Sequence, residues 1–283
     1  MQELIKLIRK RARLNQKEFA EAIGSTAVTI NRWESGKTIP NLMAQQQIYN
    51  FTKKTNIDIC DYIIDSIKVS DGSNITLYHG SREGINGRIA PCSRSKCDFG
   101  KGFYMGTEPL QPLTLVCNEE KPIIYSFSLN TKGLKILEID VGIDWAMLIA
   151  FYRGYMDEAK GTDLYEKYAH LADNFDLIIG YIANDRMYQV LTDFFEKRIT
   201  DTALIGCLSA LELGKQYVAI SEKACKKIKL LREYYLSKLE LLCLRDKSIV
   251  RRNQGISLAE EIVLKHRRDG LFFDEILRGE KNE

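Results

Sequence analysis

The sequence has no long run of apolar residues. Its longest, WAMLIAF at 145–151, spans seven residues, whereas a transmembrane helix needs roughly 20. The chain opens on a charged amphipathic segment and shows no signal-peptide pattern, no internal repeat and no low-complexity tract. These absences predict a globular protein of the cytoplasm that has no membrane partner.

Motifs for metals, disulfides and Rossmann-type dinucleotide binding are also missing. The seven cysteines stand singly, without a CxxC pair, and three histidines accompany them. Cys92 and Cys97 come nearest to each other, but a zinc site needs a second pair of ligands close by. We expect reduced, mostly buried thiols and no metal. The absence of GxGxxG argues against an enzyme that transfers hydride.

Charge is distributed unevenly along a chain of ordinary composition. The 283 residues, 45% hydrophobic and 28% charged, suit one or two globular domains. The net charge is +3, but residues 1–56 carry ten Lys and Arg against four Asp and Glu, which leaves 31 against 34 for the rest. The basic excess therefore lies at the N-terminal end and favours a polyanion-binding module joined to a domain of another kind.

The N-terminal segment has the pattern of short helices joined by a tight turn. Apolar residues of QELIKLIRKRARL recur at helical spacing. Asn15 with Glu18 forms a capping-box signature, Gly24 provides a turn, and Thr26 can cap a third helix, AVTINRWE, that ends at SGKTIP. The sequence predicts a helix-turn-helix domain at 1–67, with a protein-binding helical bundle as the alternative.

This segment resembles the Cro-like phage repressors of the xenobiotic-response-element family, through LNQKEFAEAIG and INRWESGKTIP. The resemblance implies that residues 1–67 bind DNA, with the third helix in the major groove. Gln16 would then contact the DNA backbone. The residues available to base edges or phosphates would be Thr26, Ala27, Val28, Thr29, Asn31 and Arg32. Since so small a module contacts few phosphates, we also expect a homodimer or a palindromic site.

Residues 68–74, KVSDGSN, are polar and turn-rich and predict a linker. Runs of branched and aromatic residues then predict strands at ITLYHGS, PIIYSFSLN, LKILEID, DLIIGYIA and QYVAIS, with helical stretches between them. A long amphipathic helix is expected over 222–246, and another behind a capping box of Ser257 and Glu260. The predicted fold is α+β and multidomain, with a C-terminal helical extension at 226–283.

Three separated segments hold the candidate chemistry. YHGS occupies 78–81, DFGKGFYMG occupies 98–106, and GKQYVAISEKA lies far downstream at 214–224. Each alone has an ordinary structural explanation. Together they resemble ADP-ribosyltransferases of the diphtheria-toxin and PARP type, in particular a bacterial branch with the order YHGS, DFGKGFY, ANDR and QYV. The resemblance implies for residues 75–225 a split antiparallel β-sheet that holds NAD, as substrate, in a cleft without a metal.

The resemblance also assigns roles to single residues. His79 would hold a ribose hydroxyl of NAD, the backbone of Gly80 would grip the nicotinamide carboxamide, and Tyr104 would stack on the nicotinamide ring. Gly100 and Gly102 would let the backbone approach the ligand. The implied catalytic set is His79, Tyr104 and Gln216. The implied NAD-binding set is Tyr78, His79, Gly80, Ser81, Gly100, Gly102, Phe103, Tyr104, Asn184 and Asp185.

The third catalytic position departs from that family, which usually has glutamate where this chain has Gln216. An amide can bond a ribose hydroxyl, but it offers no negative charge to an oxocarbenium ion. Asp185 and Glu222 are the candidates for that charge. For Asn184 and Asp185, N-capping of the next helix is an equal alternative. Because Gln216 offers no negative charge, elongation to a poly-ADP-ribose chain is not expected.

The sequence thus predicts an NAD-dependent mono-ADP-ribosyltransferase fused to a DNA-binding module. The resemblance implies a bacterial toxin or defence effector that binds its own promoter, modifies a macromolecular acceptor and is neutralised by a small antitoxin protein. Two alternatives stay open. One is a transcriptional regulator whose inactive domain senses NAD or ADP-ribose, which Gln216 favours. The other is an NAD glycohydrolase, which uses water as the acceptor.

Overall fold

The N-terminal part of the protein, residues 1–67, is helical and is called the head below. The computed structural model describes residues 1–182, 185–210, 214–267 and 269–280. The helices of the head are α1 (Gln2–Arg11), α2 (Gln16–Ala22), α3 (Ala27–Glu34), α4 (Leu42–Lys54) and α5 (Cys60–Ile67). Asn15 and Glu18 form the predicted capping box on α2, and the Thr26 hydroxyl accepts from the Thr29 N–H at the start of α3. The predicted helix-turn-helix is confirmed.

The helices of the head close around an apolar core because each carries its apolar residues on one side. Leu4 and Ile8 of α1, Phe19 of α2, Ile30 of α3 and Ile48 of α4 have no exposed surface. Burial of one such side chain contributes about 1.5–3 kcal/mol to folding. The packing fixes α3 with its opposite side turned outward.

The rest of the chain, called the body, is built on a seven-stranded sheet in the order β4-β5-β6-β2-β1-β3-β7. The strands are β1 (Ile75–Ser81), β2 (Phe103–Gly106), β3 (Ile123–Leu129), β4 (Ile136–Glu138), β5 (Leu177–Tyr181), β6 (Lys215–Ala219) and β7 (Ile228–Tyr235). Neighbouring strands are antiparallel, except that β4 and β5 are parallel. The predicted α+β class is confirmed, whereas the prediction of an antiparallel sheet is wrong for the pair β4 and β5.

A seam runs through the sheet between β1 and β2. Strand β1 pairs with β3 along all seven of its residues, but its register with β2 joins Tyr78 to Gly106. Past that point the ring of His79 reaches the neighbouring strand instead, with Nδ1 2.7 Å from the carbonyl oxygen of Tyr104. Among the described residues, β1 and β2 belong to one continuous sheet. The expected split of the sheet corresponds only to the place where these two strands separate beyond Tyr78 and Gly106.

The helices of the body flank this sheet. They are α6 (Leu110–Val116), α7 (Ile143–Arg153), α8 (Asp163–His170), α9 (Asp185–Phe195), α10 (Asp201–Ala210), α11 (Glu222–Cys225), α12 (Lys238–Lys265) and α13 (Phe273–Leu277), with a 3₁₀ turn at Asp157–Ala159. Trp145 of α7, Phe194 of α9 and Leu204 of α10 are fully buried in one apolar cluster with Ile178 of β5. The predicted alternation of strands and helices through the middle of the chain is therefore present.

The prediction of a single helix over 222–246 is wrong. Four residues form α11, then β7 pairs with β3 along its length, and α12 starts at Lys238. The capping box of α12 is Ser237 with Glu240, so Ser257 lies inside this helix and does not begin one. Because β7 extends the sheet to Tyr235, the expected boundary at 225 cuts through the body, and the extension at 226–283 is not purely helical.

The head packs directly on the body. The Ser126 hydroxyl of β3 donates to the carbonyl of Ile67 at 2.6 Å, and the hydroxyl of Tyr49 in α4 donates to Asp246 in α12 at 2.8 Å. Buried residues of α1 to α5 share one apolar cluster with Leu239 of α12 and Leu113 of α6. Segment 68–74, the predicted linker, thus joins two parts that are already in contact.

Candidate functional site

A pocket of about 960 Å³ lies at the seam, a volume at the upper end of the range for small-molecule sites. Strands β1, β2 and β6, the helix α6 and the loop before β2 supply most of its wall. The described residues that line it are Tyr78, His79, Gly80, Arg94, Ser95, Lys96, Cys97, Asp98, Tyr104, Met105, Gly106, Gln111, Pro112, Leu115, Arg153, Tyr155, Ile182 and Gln216. The structure therefore brings His79, Tyr104 and Gln216 together.

His79 is held in one orientation and one tautomer. Its ring stacks on Phe103 at 4.9 Å between centroids, and Nδ1 lies 2.7 Å from the carbonyl of Tyr104. Because a carbonyl oxygen only accepts hydrogen bonds, Nδ1 carries the hydrogen and the neutral ring keeps Nε2 as an acceptor. Burial lowers the pKa of His79 from its ordinary 6.5, although the bond to Tyr104 opposes this. The imidazole is therefore neutral at pH 7.

Tyr104 is fixed by two hydrogen bonds of its hydroxyl group, one donated and one accepted. The hydroxyl donates to the carbonyl of Gly100 at 2.7 Å and accepts from the N–H of Phe99 at 3.0 Å. Burial raises the pKa of Tyr104 far above its ordinary value, so the phenol stays protonated. The ring thus forms a rigid, uncharged part of the pocket wall and anchors the loop that precedes β2.

Gln216 is 7% exposed and binds two oxygens that lie far away along the chain. Its Nε2 donates to the carbonyl of Tyr181 at 2.9 Å and lies 3.4 Å from Oδ2 of Asp98. Oδ1 of Asp98 in turn accepts from Nη2 and Nε of Arg153, at 2.6 and 3.1 Å. The amide is therefore oriented, and it lies beside an ion pair.

The glycines of the two motifs have packing roles. A Cβ at Gly80 would lie 2.9 Å from the backbone oxygen of Pro112, so glycine allows α6 to press on β1. A Cβ at Gly100, whose φ is +70°, would lie 2.7 Å from the Tyr152 ring, and one at Gly102 would lie 2.4 Å from Val218. Neither Gly100 nor Gly102 lines the pocket. The structure thus shows a packing reason for each glycine, because the protein's own atoms occupy the space that a Cβ would take.

Three of the remaining predicted NAD-binding and charge-bearing residues, Ser81, Phe103 and Glu222, are described by the structure and do not line the pocket. The Ser81 hydroxyl donates to the carbonyl of Gly84 at 2.9 Å, and Phe103 is buried behind His79. Glu222 pairs with Arg88 at 3.5 Å on the surface, so it is not placed to supply charge in the pocket. Asn184 and the side chain of Asp185 lie outside the described residues.

Among the pocket groups that sequence reasoning missed are Asp98, Arg153 and Gln111. Asp98 stands in the quoted motif DFGKGFYMG but was given no role, and Arg153 closes α7 at a distance of 55 residues along the chain. Gln111 lines the pocket from α6. For Asp98 a signal was present, namely an acidic residue directly before the glycine turn that leads to Tyr104. The other two become visible through tertiary packing alone.

The exposed side of α3 is the candidate DNA-binding surface. Val28 is 63% exposed, Asn31 and Arg32 are exposed, and Thr29 and Ala27 are half-buried beside them. Thr26 is also exposed, but its hydroxyl is engaged as the helix cap. Gln16 is half-buried, and its Nε2 donates to Glu34 at 2.9 Å. The side chain predicted to contact the DNA backbone is therefore positioned by a bond within the head.

The described residues hold no cluster of three or more His, Cys, Asp or Glu side chains suited to a metal ion. In the same part of the chain, no helix combines the length and the apolar character required to cross a membrane.

Two families match this chain. Residues 5–44 match the family described as helix-turn-helix, which agrees with α2, α3 and their exposed side and implies that the head binds DNA. No curated protein and no solved structure matches the chain. Residues 75–230 match the family described as "Protein of unknown function (DUF3990)", from β1 into β7. Because this match covers more than half of the 283 residues, the chain belongs to the DUF3990 family.

Proposed function

We propose that this protein is an NAD-dependent mono-ADP-ribosyltransferase with a DNA-binding head. The observation that carries the proposal is the meeting of His79, Tyr104 and Gln216 in one pocket, although they come from three strands. These are the residues that the resemblance to ADP-ribosyltransferases assigns to the ribose, the nicotinamide ring and the third catalytic position. A pocket of this volume has room for a dinucleotide.

The pocket offers what cleavage of the nicotinamide–ribose bond requires. When the bond from ribose C1′ to the ring nitrogen breaks, its electron pair leaves on nicotinamide, which becomes neutral, and positive charge develops on the ribose. The acceptor then bonds to C1′ and releases its proton to solvent. Such a step depends on positioning and on stabilisation of the developing charge. Nε2 of neutral His79 can accept from a ribose hydroxyl, and the fixed ring of Tyr104 offers a stacking surface.

Cationic side chains suit the pocket to a phosphate-bearing ligand. Arg94, Lys96 and Arg153 line it, against Asp98 as the one carboxylate among the described lining residues. Arg94 and Lys96 are exposed at the loop before β2. An excess of positive charge attracts an anionic ligand in a salt-dependent manner. The pyrophosphate of NAD is such a ligand, whereas a neutral nucleoside would gain nothing from these side chains.

The experiment that tests the proposal uses the full chain with NAD labelled on the adenosine phosphate. Released nicotinamide and label on macromolecules of a cell extract are measured together. We expect both, and we expect His79→Ala and Tyr104→Ala each to lower the rate of nicotinamide release by about 100-fold, because each removes a positioned contact to the reacting group.

Matched control variants are available on the surface. His170 is 68% exposed, Tyr235 is 67% exposed, and neither lines the pocket, so His170→Ala and Tyr235→Ala should retain the wild-type rate. Released nicotinamide with free ADP-ribose and no labelled macromolecule would identify an NAD glycohydrolase instead. Absence of nicotinamide release from the wild-type chain would refute both enzymatic functions.

The proposal predicts a pH dependence of NAD binding. Because burial lowers the pKa of His79 from 6.5, Nε2 remains an acceptor throughout the neutral range. We expect the NAD affinity to be constant from about pH 7 to pH 8 and to fall as acid protonates the folded-state imidazole, below the ordinary His value. Calorimetric titration of NAD between pH 5 and 8 measures this. In His79→Ala the acid limb should disappear, and its persistence would assign the titration to another group.

The packing of α6 favours a second candidate function, a ligand-controlled regulator. Gln111, Pro112 and Leu115 of α6 line the pocket, while Leu113 and Val116 lie in the apolar cluster that the head shares. A ligand that displaces α6 therefore acts on the head as well. In this function the pocket senses NAD or ADP-ribose without turnover. NAD binding without nicotinamide release, together with an NAD-dependent change in DNA affinity, would identify it.

A DNA-binding head joined to an NAD-consuming pocket suits a bacterial toxin or defence effector. In this proposal the head binds the promoter of its own gene, the pocket modifies a macromolecular acceptor, and a small antitoxin protein neutralises the activity. The exposed side of α3 supports the first of these roles. Footprinting of the upstream DNA tests it, with Asn31→Ala and Arg32→Ala as the variants that should weaken the footprint.

A further inference from the structure

Asp98 is an acidic side chain inside the pocket that the proposed function has not used. Its carboxylate is 18% exposed, and Oδ2 lies 3.4 Å from Nε2 of Gln216. The other oxygen is held by Arg153, whose Nη2 lies 2.6 Å from it. The pocket thus contains a carboxylate next to the position where the third catalytic residue has an uncharged amide.

The reaction proposed for this pocket creates a demand for that charge. As the bond from C1′ to nicotinamide breaks, the ribose takes on oxocarbenium character, and a carboxylate stabilises it more strongly than a neutral amide does. Gln216 can bond a ribose hydroxyl but cannot supply the charge. Among the described residues that line the pocket, Asp98 is the carboxylate that faces this amide.

We propose that Asp98 supplies the negative charge that the third catalytic position lacks, so that Asp98 and Gln216 divide between them the work of one glutamate. Gln216 holds the ribose hydroxyl, and Oδ2 of Asp98 stabilises the charge on the ribose. This inference rests on the proposed function, because it concerns the rate of the same reaction.

The loop around Asp98 is rigid enough for this role. The next residue, Phe99, is 1% exposed, and its N–H is bonded to the hydroxyl of Tyr104 at 3.0 Å. Gly100 accepts from the same hydroxyl, so Asp98 and the ring of Tyr104 are tied to each other. Arg153 then fixes the rotation of the carboxylate by binding Oδ1 through two nitrogens. A charge that is fixed before reaction needs no reorganisation during it.

The alternatives for this charge are less well placed. Glu222 lies on the surface with Arg88. Glu108 and Glu119 follow β2 and α6, but neither lines the pocket. The side chain of Asp185 lies outside the described residues, and the experiment below distinguishes it, because D98N would be as fast as wild type if Asp185 provided the charge.

The test moves the carboxylate from one residue to its neighbour. D98N removes the charge with little change of shape, and the double variant D98N/Q216E places a carboxylate on the adjacent side chain. We expect D98N to lower kcat for nicotinamide release by about 100-fold while the calorimetric Kd for NAD changes little. The double variant should recover at least about 10-fold of that loss, the value of one charge-assisted bond.

Controls separate the outcomes. Asp173→Asn removes an exposed carboxylate that pairs with His170, and it should retain the wild-type kcat. A wild-type chain that releases no nicotinamide would refute the proposed function and this inference with it. A wild-type chain that turns over while D98N is equally fast would overturn the inference alone. So would a slow D98N whose double variant is no faster, because the Asp98–Arg153 ion pair would then have a purely structural role.

Discussion

Replacing Glu34 by alanine is expected to lower the free energy of unfolding of the head by about 3 kcal/mol, because it leaves the largely buried guanidinium of Arg9 without its carboxylate partner. Glu34 binds Nε and Nη2 of Arg9 at 2.6 and 3.0 Å. The two side chains are 7% and 15% exposed, Glu34 being the more buried. Glu34 also accepts from Gln16, so it joins the ends of α1, α2 and α3.

Urea unfolding followed by circular dichroism measures this loss, with DNA binding as a second observable. Glu21→Ala is the matched control, since Glu21 is exposed on α2 and its removal should cost within about 0.5 kcal/mol. An equal cost for the two variants would show that the Arg9–Glu34 pair is dispensable. DNA affinity should fall in Glu34→Ala beyond the loss of folded protein, because Gln16 and α3 lose their common anchor.

The same residue gives the head a dependence on acid. Burial opposes ionisation of Glu34, but its bonds to Arg9 and Gln16 outweigh this and lower its pKa below the ordinary 4.5. A depressed folded-state pKa means that the contribution to stability is complete above the unfolded value and is lost as the pH falls through the folded one. The free energy of unfolding of the wild type should therefore fall by more between pH 7 and pH 3 than that of Glu34→Ala.

Local signals made much of the fold predictable. The helix-turn-helix followed from residues whose roles are short-range: the capping pair of Asn15 and Glu18, the turn at Gly24 and the cap at Thr26, all within one or two turns of the helices that they define. The strands β1, β3 and β5 followed from runs of branched and aromatic residues. Strands β3 and β5 are buried on both sides almost throughout, whereas most residues of β1 are half-buried.

Strand β7 was not predictable in the same way. Its residues Leu230, Leu231, Tyr234 and Tyr235 also fit one side of a helix, and the strand lies at the edge of the sheet, where Leu230 is 43% and Tyr235 is 67% exposed. An edge strand with apolar residues on both faces lacks the alternation that separates strand from helix. Pairing with β3 decides the outcome, and this pairing brings together residues about 100 positions apart, Tyr125 with Glu233 for example.

The candidate site likewise contains residues that local motifs predicted and residues that depend on tertiary packing. His79, Tyr104 and Gln216 were named from motifs, and the structure places all three around one pocket. The ion pair of Asp98 and Arg153 depends on how α7 packs beneath the loop before β2, which no local pattern of residues contains. For Gly100 and Gly102 the sequence predicts contact with a ligand. The structure adds a second reason for glycine, because Tyr152 and Val218 occupy the space that a Cβ at each position would take.

Buried residues of the core next to the pocket contribute both to the stability of the body and to the positions of the pocket side chains. Trp145 of α7 has no exposed surface, and its Nε1 donates to the carbonyl of Tyr181 at 3.2 Å. The same carbonyl accepts from Nε2 of Gln216 at 2.9 Å. Phe99, next to Asp98, packs closely on Gly180. A Cβ at position 180 would lie 2.5 Å from the ring of Phe99. The buried indole therefore shares an acceptor with the amide of Gln216 and lies in the same apolar cluster as Phe99, the neighbour of Asp98.

Trp145→Ala is expected to lower the free energy of unfolding of the body by about 4 kcal/mol, since it removes a fully buried indole and leaves a cavity. Trp145→Phe, which keeps most of the volume and loses the bond to Tyr181, should cost about 1–2 kcal/mol. Urea unfolding measures both values. If the carbonyl of Tyr181 positions Gln216 through this bond, the folded Trp145→Phe variant should also release nicotinamide more slowly than wild type. Equal rates for the two proteins would show that the amide of Gln216 keeps its orientation without the indole.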